Sequence, residues 1–215
     1  MILVNPPKEI LYIDEHPVCH AGLQAFIEAS PSHVLAYAAP SIDDPDLPDS
    51  VDLAIIEITS THPRGIAAVR ELKQKYPHAR VLVLSSYDEC IYADRCLKAG
   101  ANGFIMKAAP LSELKHAIET VTEGELYVSE NVKSLMINRL ANPGASEGSA
   151  SFHNLSDREL LIVEQIGMSK NNKEIAQALQ ISVKTIESHR SRIKAKLRLD
   201  SPQDLMRYAM RMHYL

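Results

Sequence analysis

The chain has 215 residues, 46% hydrophobic and 23% charged, a balance that suits a soluble globular protein of one large or two small domains. No apolar run approaches a membrane span, and the amino terminus lacks the basic-then-apolar order of a secretory signal, so a cytoplasmic protein is expected and a membrane partner is not. The net charge of −4 is uneven: residues 1–151 hold 12 Lys+Arg against 20 Asp+Glu, whereas residues 152–215 hold 11 against 7, so an acidic unit of −8 precedes a basic one of +4 suited to a polyanion.

Strand and helix signals alternate through the first half. Glu9–Asp14 is a short apolar run ending in acid, and Pro17 sits where it can open a helix. Cys19, Leu23, Phe26 and Ile27 follow at helical spacing. His33–Ala39, Leu53–Glu57, Arg80–Ser85 and Asn102–Met106 read as further strands, with helices expected near 66–76, 88–99 and 111–123. Five nearly continuous apolar strands with intervening helices imply an α/β, doubly wound parallel sheet covered on both faces. The crossover at 40–50 carries three prolines and four aspartates, so a loop or short turn is expected there. Three cysteines, Cys19, Cys90 and Cys96, fit no zinc spacing and read as reduced thiols, the last two as packing residues. His16 reads as a surface or turn residue, and His213 has no evident partner.

Beyond Tyr127 the pattern weakens. Ser129–Ala141 suits a linker helix, and Asn142–Ser151 is Gly/Ser/Ala-rich like a flexible tether. The chain then turns all-helical. Ser156 with Glu159 forms a capping-box signature, and helices are expected at about 157–167, 172–179, 183–197 and 202–212. The expected division is 1–128, a linker at 129–151, and a four-helix unit at 152–215.

Two of those helices meet at a tight turn near Gln180–Ser182, a helix-turn-helix arrangement. On a wheel for 183–197, Ile186, Ile193 and Leu197 fall on one side. Lys184, Glu187, Ser188, Ser191 and Ala195 fall opposite, flanked by Thr185, His189 and Arg192 on one edge and by Arg190 and Lys194 on the other. A small polar face can enter a major groove while flanking cations grip phosphates; an ordinary solvated surface helix would show much of the same pattern. From Leu155 to about Ala209 the sequence resembles the LuxR-type helix-turn-helix: the Leu-Ser-x-Arg-Glu opening, Asn172–Ala176, and Ser182–Ile186 followed by His189 carry the likeness. The resemblance implies binding to double-stranded DNA, with Lys184, Thr185, His189 and Arg192 near phosphates and Glu187, Ser188 and Ser191 near base edges. It also assigns the last helix to a homodimer contact. Glu187 could accept from cytosine N4; the preferred alternative has it capping, or pairing with Arg190 or Arg192.

At the other end, Asp14, Glu15, Glu57, Ser85 and Lys107 all follow strand ends, where open parallel sheets build their sites. Three carboxylates, a hydroxyl and an ammonium suit a divalent cation and a phosphoryl group. Residues 8 to about 125 resemble the flavodoxin-like receiver domain, and the whole chain resembles a NarL/FixJ-type response regulator. The resemblance implies Asp14 and Glu15 as the acidic pair able to hold Mg²⁺, Ser85 as the switch hydroxyl, Phe104 as the switch aromatic and Lys107 as the pocket lysine. Gly65 matches the glycine after the third strand, and a sensor kinase or another regulator is implied as partner. No other cofactor and no enzyme activity are implied.

The departure lies at Glu57, where the family places its phosphoacceptor aspartate. Ser60-Thr61 stand where Met-Pro is usual, and Pro63 comes two residues late. One added methylene moves the carboxylate outward by a little over ~1 Å, and in-line transfer tolerates such displacement poorly. Signalling independent of phosphorylation is therefore expected, with Glu57 either imitating the phosphorylated state through Lys107 and Ser85, or pairing with Lys107 to hold the fold. A crowded cluster could also leave one carboxyl protonated. Two rival functions remain: a partner-dependent adaptor with little DNA affinity of its own, and an enzyme working through an acyl-phosphate.

Overall fold

The computed structural model describes residues 6–58, 64–142 and 152–213. Packing separates two compact units, one built on residues 1–58 and 66–133, the other dominated by 134–215.

The first unit is a five-stranded parallel sheet: β1 (Lys8–Ile13), β2 (His33–Ala39), β3 (Leu53–Ile56), β4 (Arg80–Ser85) and β5 (Gly103–Met106), in spatial order β2-β1-β3-β4-β5. Side chains alternate across a strand, so each strand feeds both faces. Ile10, Tyr12, Leu53, Ile55, Leu82, Leu84 and Ile105 form one core with residues of α1 (Pro17–Glu28) and α4 (Leu111–Glu123). On the other side α2 (Ala67–Lys75) packs on β4 and α3 (Glu89–Lys98) on β5. Burial on both faces explains why β3 is apolar at all four positions. Pro17 does occupy the first turn of α1. The strand order reverses between β1 and β3, which run in register with Ile13 opposite Ile56. That reversal opens a crevice at their carboxyl ends.

Three expected strand ends extend one residue too far, at Asp14, Glu57 and Asn102. The ladder nonetheless continues: Asp14 N–H donates to Ala39 O at 3.1 Å, and Glu57 N–H to Ile13 O at 2.8 Å. Both carboxylates therefore ride on backbone still anchored to the sheet. Residues 40–50 form turns and bends rather than a helix. Ile42 and Leu47 tuck beneath them, each 9% exposed, and the Tyr76 hydroxyl pins Pro48 O at 2.6 Å. Gly103 admits no side chain: a Cβ there would meet Leu82 at 2.9 Å and the Tyr127 carbonyl at 3.0 Å. The linker helix forms as α5 (Glu130–Ala141); most of the expected tether, residues 143–151, lies outside the described residues, as do Ser60, Thr61 and Pro63.

In the second unit a single 3₁₀ turn (Phe152–Asn154) leads into α6 (Asp157–Gly167), α7 (Asn172–Ala178), α8 (Val183–Leu197) and α9 (Pro202–His213). The capping box is complete: Ser156 Oγ accepts from Glu159 N–H at 3.3 Å, and Glu159 accepts from Ser156 N–H at 2.7 Å. A second box, Asn171 with Glu174, starts α7. Among the described residues no helix is long and apolar enough to cross a membrane.

Candidate functional site

The crevice between β1 and β3 gathers a polar cluster around one ammonium. Lys107 follows β5, its N–H held by Ser85 O at 2.8 Å. Its Nζ lies 2.7 Å from Asp14 Oδ2, 2.5 Å from Glu57 Oε1 and 3.7 Å from Cys19 Sγ. Asp14 is buried and saturated. Its Oδ2 also accepts from the Tyr12 hydroxyl at 2.5 Å, and its Oδ1 accepts from His16 N–H at 2.8 Å. His16 Nδ1 bridges the two carboxylates, 2.9 Å from Asp14 Oδ1 and 3.3 Å from Glu57 Oε2. His20 Nε2 reaches the Asp14 carbonyl at 2.6 Å.

These contacts split the two acids. Burial alone would raise Asp14, but bonds from Lys107, Tyr12 and the His16 N–H outweigh it and hold the carboxyl below its usual range. Burial, reinforced by the Asp14 charge, pushes Glu57 up against the pull of Lys107. Lys107 is raised because its two carboxylates overcome the effect of burial. The bond to Asp14 raises exposed His16, and burial raises the Cys19 thiol. The arrangement is thus a charged Asp14–Lys107 pair with Glu57 as a second, more basic carboxylate.

The sequence-predicted residues fare unequally. Asp14, Glu57 and Lys107 converge. Ser85 is buried at the rim, but its hydroxyl donates to Ile58 O at 3.4 Å and accepts from Tyr87 N–H at 3.1 Å, so it is not the partner of Glu57 expected from the sequence. Phe104 is buried, 1% exposed. Glu15 is exposed on the turn after β1. His16 is the turn residue expected, yet its ring joins the cluster. Tyr12, His16, Cys19 and His20 were not selected from the sequence; their positions within six residues of Asp14 were the available signal. Mg²⁺ favours oxygen ligands in near-octahedral order. Here the described groups around Asp14 are the Glu57 carboxylate, an imidazole, a thiol and a carboxylate-bound ammonium, with Glu15 exposed on the turn.

In the helical unit, Ile186, Ile193 and Leu197 are buried and anchor α8. Lys184, Glu187, Ser188, Ser191 and Arg192 are exposed, while Thr185 and His189 are half-buried. Ser182 caps the helix through Thr185 N–H at 3.0 Å. Arg190 turns inward to Asn172 Oδ1 at 3.0 Å, which removes it from the cationic edge. Among the described residues neither Arg190 nor Arg192 pairs with Glu187, contrary to the preferred sequence reading; the pairing arginine is spent on α7. Burial and the nearby Arg192 charge lower His189. Lys196 binds Glu159 at 2.6 Å, tying α8 to the start of α6.

Comparisons with known proteins match both units. Residues 10–119 match the response regulator receiver domain, and residues 153–209 match the luxR family of bacterial regulatory proteins. The oxygen regulatory protein NreC of Staphylococcus epidermidis (strain ATCC 12228 / FDA PCI 1200) is 31% identical over 211 residues, covering 94% of this chain and 97% of that protein. The response regulator ChrA of a heme-sensing two-component system is similar in structure at 25% identity and a TM-score of 0.51, covering 98% of this chain and 100% of that one. RcsB from Salmonella enterica serovar Typhimurium, bound to promoter rprA in the presence of phosphomimetic BeF₃⁻, shares the fold at 17% identity and a TM-score of 0.67, covering 95% and 98%.

Proposed function

The chain belongs to the response-regulator family, joining a receiver domain to a LuxR-type helix-turn-helix, and from that premise we propose that its receiver signals without a phosphoryl group on residue 57. The protein is a DNA-binding transcription regulator and not an enzyme. The observation that carries the proposal is the Lys107 ammonium, engaged at once by Glu57 at 2.5 Å and Asp14 at 2.7 Å. A pocket lysine steadies incoming phosphoryl oxygens when it is available. Here a carboxylate one methylene longer than aspartate engages that lysine, so the receiver's set point comes from Glu57, Asp14 and their protons. The imitation of phosphate is limited to the lysine arm, because Ser85 bonds elsewhere.

The remainder of the reading follows from the resemblance and the surface chemistry. The exposed face of α8 reads double-stranded DNA, with Lys184 and Arg192 on phosphates and Ser188 and Ser191 at base edges. The chain works in the cytoplasm as a homodimer, helped by Met206, 39% exposed on α9. A sensor kinase or another regulator supplies the input.

Acetyl phosphate with Mg²⁺, read by intact mass, tests position 57. An adduct of ~80 Da is expected on the Glu57→Asp variant and not on the wild-type chain; an adduct on Glu57 itself ends the proposal. Glu57→Gln is expected to lower DNA affinity, and unchanged affinity would leave Glu57 with a structural role only.

A further inference from the structure

We propose that Asp14, His16, Cys19 and Glu57 form a binding site for a borderline transition-metal ion of the Zn²⁺ class. One ligand atom each from Asp14, His16 and Cys19 lies within 4.8 Å of the others. Glu57 Oε2 lies 3.3 Å from His16 Nδ1, beside the trio, and would complete a fourth position as the ion draws it in. Oxygen, nitrogen and sulfur together are the donor chemistry of four-coordinate Zn²⁺ and its neighbours, and not of Mg²⁺. Metal–ligand bonds of 2.0–2.3 Å place tetrahedral donors roughly 3.5 Å apart. The Asp14–His16–Cys19 trio therefore closes by no more than about 1.3 Å, a movement within reach of side-chain rotation. Local structure favours it: Asp14 is fixed at the end of β1, His16 caps α1, and Cys19 stands three residues on, one helical turn away.

An independent observation marks the spot as a cation position. The Lys107 ammonium already sits among Asp14, Glu57 and Cys19, at 2.7, 2.5 and 3.7 Å. Its side chain is 20% exposed, so it can swing toward solvent as a metal ion enters. The charges then balance. Two carboxylates and a thiolate around a dication leave −1, which the displaced lysine neutralises nearby. The Cys19 thiol gives its proton to solvent, and His16 binds through Nδ1 as the neutral imidazole with its one proton on Nε2, any second ring proton also passing to solvent; nothing is oxidised or reduced. Metal entry would thus release Lys107 from Glu57, giving the receiver a metal-dependent state. This goes beyond the reading of Glu57 as a non-acceptor and stands or falls separately, because the mass experiment reports on residue 57 and the one below on Cys19.

The test is a Co²⁺ titration of the tag-free, reduced, full-length chain after chelator treatment. One equivalent should bring up a thiolate-to-cobalt charge-transfer band in the near ultraviolet and tetrahedral d–d bands in the visible. Zn²⁺ should bleach both, and excess Mg²⁺ should bleach neither. Cys19→Ser should lose the charge-transfer band while keeping the wild-type far-ultraviolet dichroism, and Cys90→Ser should keep the band. His16 is exposed, so His16→Ala leaves the fold intact and should weaken Co²⁺ binding by at least the roughly 10–100-fold that losing an outer-sphere partner costs. A chain that develops no such band, a band that survives Cys19→Ser, or binding unmoved by His16→Ala overturns the proposal.

Discussion

Asp14 and Glu57 share one ammonium and titrate in opposite directions, which gives them opposite roles in stability. Asp14 is depressed, so its contribution is present above the ordinary carboxyl range and is lost as pH falls through its folded value. Glu57 is raised, so its folded state prefers the proton: its contribution is present in acid and is lost as pH rises through its folded value. Removing each charge at neutral pH should therefore have unequal effects. Asp14→Asn weakens charge-assisted bonds from Lys107, Tyr12 and His16, and should cost the receiver about 2 kcal/mol in urea unfolding. Glu57→Gln should cost less than half as much or be neutral. Equal losses would mean that the two carboxylates carry the pocket jointly. Glu187 shows the same principle at the other end of the chain: Arg190, one of its two expected partners, is bonded to Asn172, and Glu187 itself is exposed on α8.

Elements in this chain are set by their ends as much as by their apolar stripes. The Pro/Asp-rich crossover replaces a helix by a loop, and two buried apolar anchors with one tyrosine hydroxyl suffice to seat it. In the helical unit, Glu159 caps α6 and also binds Lys196 of α8, so one carboxylate joins two elements. Burial would raise it, but Lys196 and the Ser156 N–H outweigh burial and lower it. The stabilisation is therefore present above the ordinary carboxyl range and fades as pH falls below it. Glu159→Gln should lower the unfolding free energy of this unit at pH 7 by about 1–2 kcal/mol. The difference between variant and wild type should shrink at about pH 4. A difference that stays constant with pH would show that the Lys196 link contributes nothing.

At the scale of the whole molecule, an acidic receiver of −8 and a basic tail of +4 divide input from output. The basic share is modest, so DNA affinity should rest on a few phosphate contacts and be strongly salt-dependent. The log–log slope of affinity against salt should be about −0.9 per phosphate neutralised, and Lys184→Ala or Arg192→Ala should each reduce it by about one contact. A flat salt response would favour the adaptor reading, in which a partner supplies the DNA affinity.

How far each layer could be read from the sequence follows from the range of the interactions that set it. Strand and helix positions, the absence of a helix at 40–50, the Ser156 capping box and the inward side of α8 all come from local periodicity and end signals. The sequence also located Asp14, Glu57 and Lys107, because parallel strands deliver their carboxyl ends to one rim. Tertiary structure alone decided which groups meet there. Lys107 is 93 residues from Asp14, and its contact with both acids depends on β5 lying two strands away from β3. That same packing turned Ser85 toward Ile58, left Glu15 outside, and drew His16 and Cys19 into the cluster. Backbone pattern is local and leaves a periodic trace in the sequence; a shared proton or ammonium is settled by ångström-scale distances between distant segments, which no periodicity records.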